Sequence, residues 1–132
     1  MTPAARASAS IEILDDILAG TPAEPRLIRW ARSSRYAGSG DRAAVRDLVF
    51  DALRRRRSHA ALGGAETGRG LILGALREAG QDPDTIFAAA PYAPLPLTAA
   101  ERDAGRPPSP AEATDLPDWI ADRLAADLGD GF

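Results

Sequence analysis

Residues 26 to 77 hold 12 of the chain's 16 basic residues, every one of them arginine, against four acids. Guanidinium forks pair bidentately with phosphate and stack on bases, so the chemistry such a block does best is to hold a polyanion. The segment nets +8, whereas residues 1 to 25 net −3 and residues 78 to 132 net −8, and the overall charge of −3 conceals the contrast. Ordinary solubilising surfaces intersperse the two signs. Segregation of this kind is the electrostatic footprint of a face that binds RNA or DNA. The competing reading is a solvated face of a protein from an arginine-biased genome, and the total lack of lysine speaks for it.

Helical geometry selects the candidates within the block. At about 100° per residue, Arg26, Arg29, Arg32 and Arg35 sweep half of one helix, opposite the half that holds Leu27, Trp30, Ala31 and Ser34. On the next helix Arg42, Arg46 and Arg57 fall in a sector roughly 60° wide, whereas Arg54 and Arg55 lie on the far side beside Asp47 and Asp51, where they can pair internally. Arg56 is expected near the apolar stripe, its stem packed and its head reaching water. The spacing thus predicts phosphate contacts from Arg26, Arg29, Arg32, Arg35, Arg42, Arg46 and Arg57. Aromatic residues make up only 5% of the chain, which argues against direct sequence readout.

Resemblances to catalytic motifs fail on inspection. Gly63 to Gly70 has the glycine spacing of a P-loop, but Arg69 replaces the lysine, Gly70 replaces the Ser/Thr that holds magnesium, and no strand precedes it. A connection between two helices is predicted instead. Gly38-Ser39-Gly40-Asp41-Arg42-Ala43 imitates a dinucleotide fingerprint without a βαβ unit around it, and reads as a loop leading into a helix. Asp15 and Asp16 are adjacent on a helix and must diverge, so they form no coupled carboxylate pair. His59 is the only histidine, which rules out a histidine cluster for metal, and it is placed at a helix C-terminus where the macrodipole favours it. No catalytic residue, metal site or cofactor site is predicted.

The elements that position these residues are helical. Alanine and leucine are abundant and β-branched residues few. Thr2-Pro3 suits an N-cap and first helical position, and Ile11, Leu14, Ile17 and Leu18 form an apolar stripe that stops at Gly20. A second helix starts near Thr21-Pro22 or at Pro25 and ends before Gly38. The third carries Val45, Leu48, Val49, Ala52 and Leu53 at i, i+3, i+4, i+7 and i+8 and is predicted to run to about Ser58. A fourth opens around Glu66 and carries Leu71, Ile72, Ala75 and Leu76 to Gly80, weakened by Gly68, Gly70 and Gly74. Eight of the 11 prolines then lie between Pro83 and Pro117, which shortens whatever helices follow. Short helices are predicted at Pro83 to Ala88, at Thr98 to Ala104 with a Thr98/Glu101 capping box, and at Pro117 to Leu128. Arg106 to Ala113 comes closest to a disordered composition.

The 132 residues suffice for a single core without staples. Absence of cysteine excludes disulfides and thiolate chemistry within them. No stretch reaches the roughly 20 apolar residues of a membrane span, and Met1 to Ser10 lacks the features of a secretory signal, so a cytoplasmic location is expected.

Three segments carry a family resemblance in order. They are Ala5-Arg6 with Ile11 to Leu18, then Arg35-Tyr36-Ala37-Gly38-Ser39-Gly40-Asp41-Arg42-Ala43-Ala44-Val45, then Leu48-Val49-Phe50-Asp51-Ala52-Leu53-Arg54. Together they resemble the NusB-type domain that opens the RsmB family, also called Sun or Fmu, of ribosomal RNA cytosine-5 methyltransferases. Leu116-Pro117-Asp118-Trp119-Ile120 is similar to the segment that leads into that family's methyltransferase domain, so the likeness spans Thr2 to Phe132. It implies an all-α, NusB-like helical bundle over residues 1 to 80, and a Pro-rich acidic extension with short helices over 81 to 132. It further implies a noncatalytic module that positions rRNA for a methyltransferase domain in cis, where S-adenosylmethionine and the catalytic cysteines would reside. Free-standing NusB proteins contact RNA through an arginine-rich start, of which only Arg6 is present here, and Arg6 joins the candidate contacts on that ground. Two other readings stay open. One is a free-standing antitermination-type scaffold for protein contacts; in the other, the acidic segment after Glu78 folds over the arginine face and masks it.

Overall fold

A computed structural model describes residues 1 to 115, which form seven α-helices and one 3-10 turn with no strand among them. The helix predicted from Pro117 and the Leu116 to Ile120 segment lie outside the described residues. Helix α1 (Pro3–Leu18) begins as its signals dictate. Thr2 is extended, its Oγ1 accepts from the Ala5 amide at 3.0 Å, and Pro3 occupies a position whose amide would lack a helical partner. The helix buries Ile13 and Leu14 completely, and its buried Ser10 donates to the Arg6 carbonyl at 2.8 Å. α2 (Ala23–Ser33) buries Leu27 and Trp30, and α3 (Ser39–Arg54) buries Val45, Val49 and Ala52.

The single helix predicted to begin after Ser39-Gly40 and run to about Ser58 is in fact two. At Arg55 the backbone leaves helical geometry (φ −110°, ψ 30°), and α4 (Arg56–Gly63) starts in a new direction. The break is supplied with a cap from far away in sequence. The Ser58 amide, one of the donors a new helix start leaves unpaired, donates to Asp115 Oδ1 at 2.9 Å, and the Ser58 hydroxyl reaches Asp115 Oδ2 at 2.9 Å. The redirection buries Ser58, His59 and Ala61 and leaves Arg56 exposed and paired with Glu66, not beside the core stripe as predicted.

α5 (Gly68–Glu78) is capped by Thr67, whose hydroxyl accepts from the Gly70 amide, and by Asp15 of α1, which accepts from the Gly68 amide at 2.8 Å. Gly64 ends α4 in the left-handed region (φ 84°), which glycine reaches without a Cβ clash. α4 and α5 then lie backbone against backbone. A Cβ placed on Gly63 would sit 1.8 Å from the Gly70 carbonyl oxygen, and one on Gly74 would sit 1.9 Å from that of His59. The glycines that weaken α5 as an isolated helix are therefore what lets it dock.

One core cluster joins residues of α1, α2, α3 and α5 with Ile86, Phe87 and Leu97 of the extension. The 3-10 turn Pro83–Thr85 leads into Ile86, and α6 (Ala99–Asp103) carries the predicted Thr98/Glu101 capping box. Arg106 to Ala113 is ordered, contrary to its composition: α7 (Pro110–Ala113) is held by a second box, Ser109 with Glu112, and the Arg106 amide donates to the Ala61 carbonyl at 2.8 Å.

Replacing Gly74 by alanine should lower stability by about 2–3 kcal/mol despite the better helix propensity, because the new methyl collides with backbone and not with a flexible side chain. Gly40→Ala, with nothing within 4 Å of its Cβ position, serves as the control and should be neutral or gain about 0.5 kcal/mol. Urea denaturation of the two variants reads the difference.

Candidate nucleic-acid interface

The fold divides the arginines into those that hold the structure and those that face water alone. Arg29 and Arg32 stand one turn apart on α2, Arg35 lies two residues beyond its end, and Arg42 sits at the start of α3. All four are exposed, and none has a partner among the described residues. The turn between the helices is fixed: Ser34 and Ala37 are buried, and the Ala37 amide donates to the Ser34 carbonyl at 3.0 Å. The four cations thus follow one another along α2, around a rigid connection and into α3.

The remaining predicted contacts are engaged. Arg6 donates through Nε (3.0 Å) and Nη2 (2.8 Å) to Asp41 Oδ1, while Asp41 Oδ2 accepts from the Gly38 amide at the start of α3. These bonds, that of Arg6 foremost, hold the Asp41 carboxyl below its ordinary value. Arg26 donates to Asp16 Oδ2 at 2.7 Å, fastening α2 to α1. Arg46 forks onto Glu24, with its Nη1 3.0 Å from Oε2, and its guanidinium lies 4.9 Å from the centre of the Phe50 ring. The hydrogen bond from Arg46 lowers the Glu24 pKa. Arg57 is partly buried, and the break at Arg55 takes it out of the sector shared with Arg42 and Arg46 on a continuous helix. Arg54 pairs with Asp51, as spacing predicts, but Arg55 turns to Glu78 and lies 3.9 Å from Asp115.

Two arginines carry a role that counting could not reveal. Arg69 of α5 donates through Nε and Nη2 to both oxygens of Glu101 (2.9 and 2.8 Å) and through Nη1 to the Leu95 carbonyl (3.0 Å), and its guanidinium stacks 4.8 Å from the Phe87 ring centre. Arg77 donates through Nη1 to the carbonyls of Leu62 (2.8 Å) and Ala104 (2.7 Å) and through Nη2 to that of Glu101 (2.9 Å). The acidic extension is thereby pinned to α4 and α5. Of its described carboxylates, Glu101 goes to Arg69, Asp84 to Arg102 and Glu112 to Arg106, Asp115 lies 3.9 Å from Arg55, Asp82 accepts from the Asp84 amide, and none reaches Arg29, Arg32, Arg35 or Arg42.

His59 lies within the first half of α4, 2% exposed, and not at a helix C-terminus; its Nε2 is 3.5 Å from Glu78 Oε2. Asp15 and Asp16 diverge to the Gly68 amide and to Arg26. Among the described residues no group of three or more His, Cys, Asp or Glu side chains is arranged to hold a metal ion, and no helix is long and apolar enough to cross a membrane. No protein-family model matches the chain, and no curated protein and no solved structure is significantly similar to it.

The Arg69 fork holds the Glu101 pKa at about 2, against an ordinary 4.5. A depressed carboxylate pKa stabilises the fold above the unfolded value and stops doing so as pH falls through the folded one. Glu101→Gln should therefore cost on the order of 2 kcal/mol at pH 7. That gap should close between pH 4.5 and about 2, as denaturation of both proteins at stepped pH would show.

Proposed function

We propose that the chain is a noncatalytic RNA-binding and positioning module of the cytoplasm, akin to the NusB-like domain that opens the RsmB family of rRNA cytosine-5 methyltransferases. The observation that carries the reading is the run Arg29, Arg32, Arg35 and Arg42, four exposed guanidinium groups without partners in a fold that engages most of its other arginines. An arginine kept out of ion pairs on a fixed scaffold is preorganised for phosphate, since no carboxylate has to be displaced. Arg6, Arg26 and Arg46, paired with Asp41, Asp16 and Glu24, act in holding the scaffold together. The helical architecture and the order of the motifs from Arg6 through Asp41 to Phe50 support the family likeness. Methyl transfer, with S-adenosylmethionine and its cysteines, is assigned to a partner domain in cis.

A protein-interaction scaffold of the antitermination type is the second reading. Ile28, 48% exposed on the same helix as Arg29 and Arg32, favours it.

A labelled small-subunit rRNA helix titrated across salt decides between them. The module reading expects binding that weakens steeply with salt, and expects the triple variant Arg29→Gln, Arg32→Gln, Arg35→Gln to lower affinity and reduce the slope of log K against log salt by about 2–3. An unchanged affinity and slope in the variant would overturn the assignment.

A further inference from the structure

The two most exposed aromatic rings of the described chain, Tyr36 (71%) and Tyr92 (85%), line the same groove. It holds about 950 Å³, within the range of small-molecule clefts. The α1 side of its lining is almost bare of long side chains: Ala4, Ala5, Ser8 and Ala9 leave room for a flat group, and Trp30 of α2 adds a third aromatic. Nothing in the core requires the two tyrosines to be aromatic.

The backbone keeps one of them there at a cost. Tyr92 sits at φ 62°, a conformation that glycine adopts freely and a bulky residue rarely does. The loop that carries it is closed by the Ala88 amide on the Pro94 carbonyl (3.1 Å) and the Ala93 amide on the Ala90 carbonyl (3.2 Å). Tyr36 follows Arg35 directly, so a partnerless guanidinium and an exposed ring are one residue apart on the rigid turn between α2 and α3. Glu12, the one carboxylate in the lining, is exposed and has no partner among the described residues. It can accept from a base's amino group but would repel a phosphate, which sets a polarity: backbone toward Arg35, base edge toward Glu12.

We propose that this groove receives an unstacked base of single-stranded RNA, stacked on Tyr36 and Tyr92 with an adjoining phosphate on Arg35. The inference rests on the RNA-binding reading and adds to it that a single strand is preferred over a duplex, whose bases cannot enter. Base–aromatic stacking of this kind is how proteins grip splayed single-stranded nucleotides.

The experiment compares a fluorescent single-stranded oligoribonucleotide of mixed sequence with a blunt RNA duplex of equal length. Each is titrated against the full chain and against Tyr36→Ala, Tyr92→Ala, Tyr36→Phe and Tyr92→Phe. Both alanine variants should bind the single strand about tenfold more weakly with the salt slope unchanged, both phenylalanine variants should retain affinity, and duplex binding should not respond to any of them. The side chains are largely solvated, so far-ultraviolet circular dichroism should confirm that each variant folds. Salt-dependent binding of both RNAs that ignores the tyrosine substitutions would overturn the base slot and leave the arginine surface standing. Loss of the duplex and the single strand alike in the alanine variants would also overturn it. Absence of any binding at low salt would overturn the slot together with the reading beneath it.

Discussion

The constraint on which the rest of the structure depends is the contact between the backbones of α4 and α5. Gly63 and Gly74 lack the side chains that would keep the helices at ordinary distance, and the carbonyls of Gly70 and His59 fill the space where their Cβ atoms would stand. Before α4 the chain breaks at Arg55, and beyond the break it buries Ser58 and His59. The same contact brings the Leu62 carbonyl within reach of Arg77, and so creates the anchor for the extension. Even the end of the extension is tied back to this region, because Asp115 caps the helix that the break created.

Around that contact the chain uses one residue type for two purposes. A guanidinium has donors in a planar fork, enough to satisfy several carbonyls or both oxygens of a carboxylate at once. Arg69 and Arg77 exploit this to hold a segment that is poor in regular hydrogen bonding, its prolines having removed many of the amides that a long helix would need. Arg6 and Arg26 connect α1 to α3 and to α2 by the same means. These pairs have both partners partly or largely solvated, so each contributes modestly; their effect is to fix geometry. What remains is a small set of cations, on α2, the adjoining turn and the start of α3, with no partner among the described residues.

This division bears on how a protein of net negative charge can offer a positive surface. Three of the extension's described acids are matched to arginines: Glu101 to Arg69 of α5, and Asp84 and Glu112 to Arg102 and Arg106 of the extension itself. Local neutralisation at one edge leaves the α2 side with uncompensated charge, and at physiological ionic strength only charges within about 8 Å matter strongly to a bound phosphate. The aromatic groove adjoins that side through Tyr36 and Trp30. Phosphate recognition and ring stacking are thus available to one strand on the proposed reading.

Local signals were legible wherever the physics is local. Thr2-Pro3, the Val45 to Leu53 stripe and the Thr98/Glu101 box mark their elements because caps and amphipathic periodicity act within a few residues. Ser109/Glu112 carries the same signature as Thr98/Glu101, and composition alone hid it. The all-helical class and the sign segregation follow from the sequence by itself, as does the absence of thiol chemistry. The break at Arg55 does not, because its cap is Asp115, 57 residues away in sequence. Nor does the division of arginines: whether Arg26, Arg46, Arg69 or Arg77 is free depends on which carboxylate or carbonyl the fold carries to it. Helical spacing fixes the side of its own helix on which an arginine lies, but Coulomb attraction and hydrogen bonding act through space, and only tertiary structure decides what stands opposite.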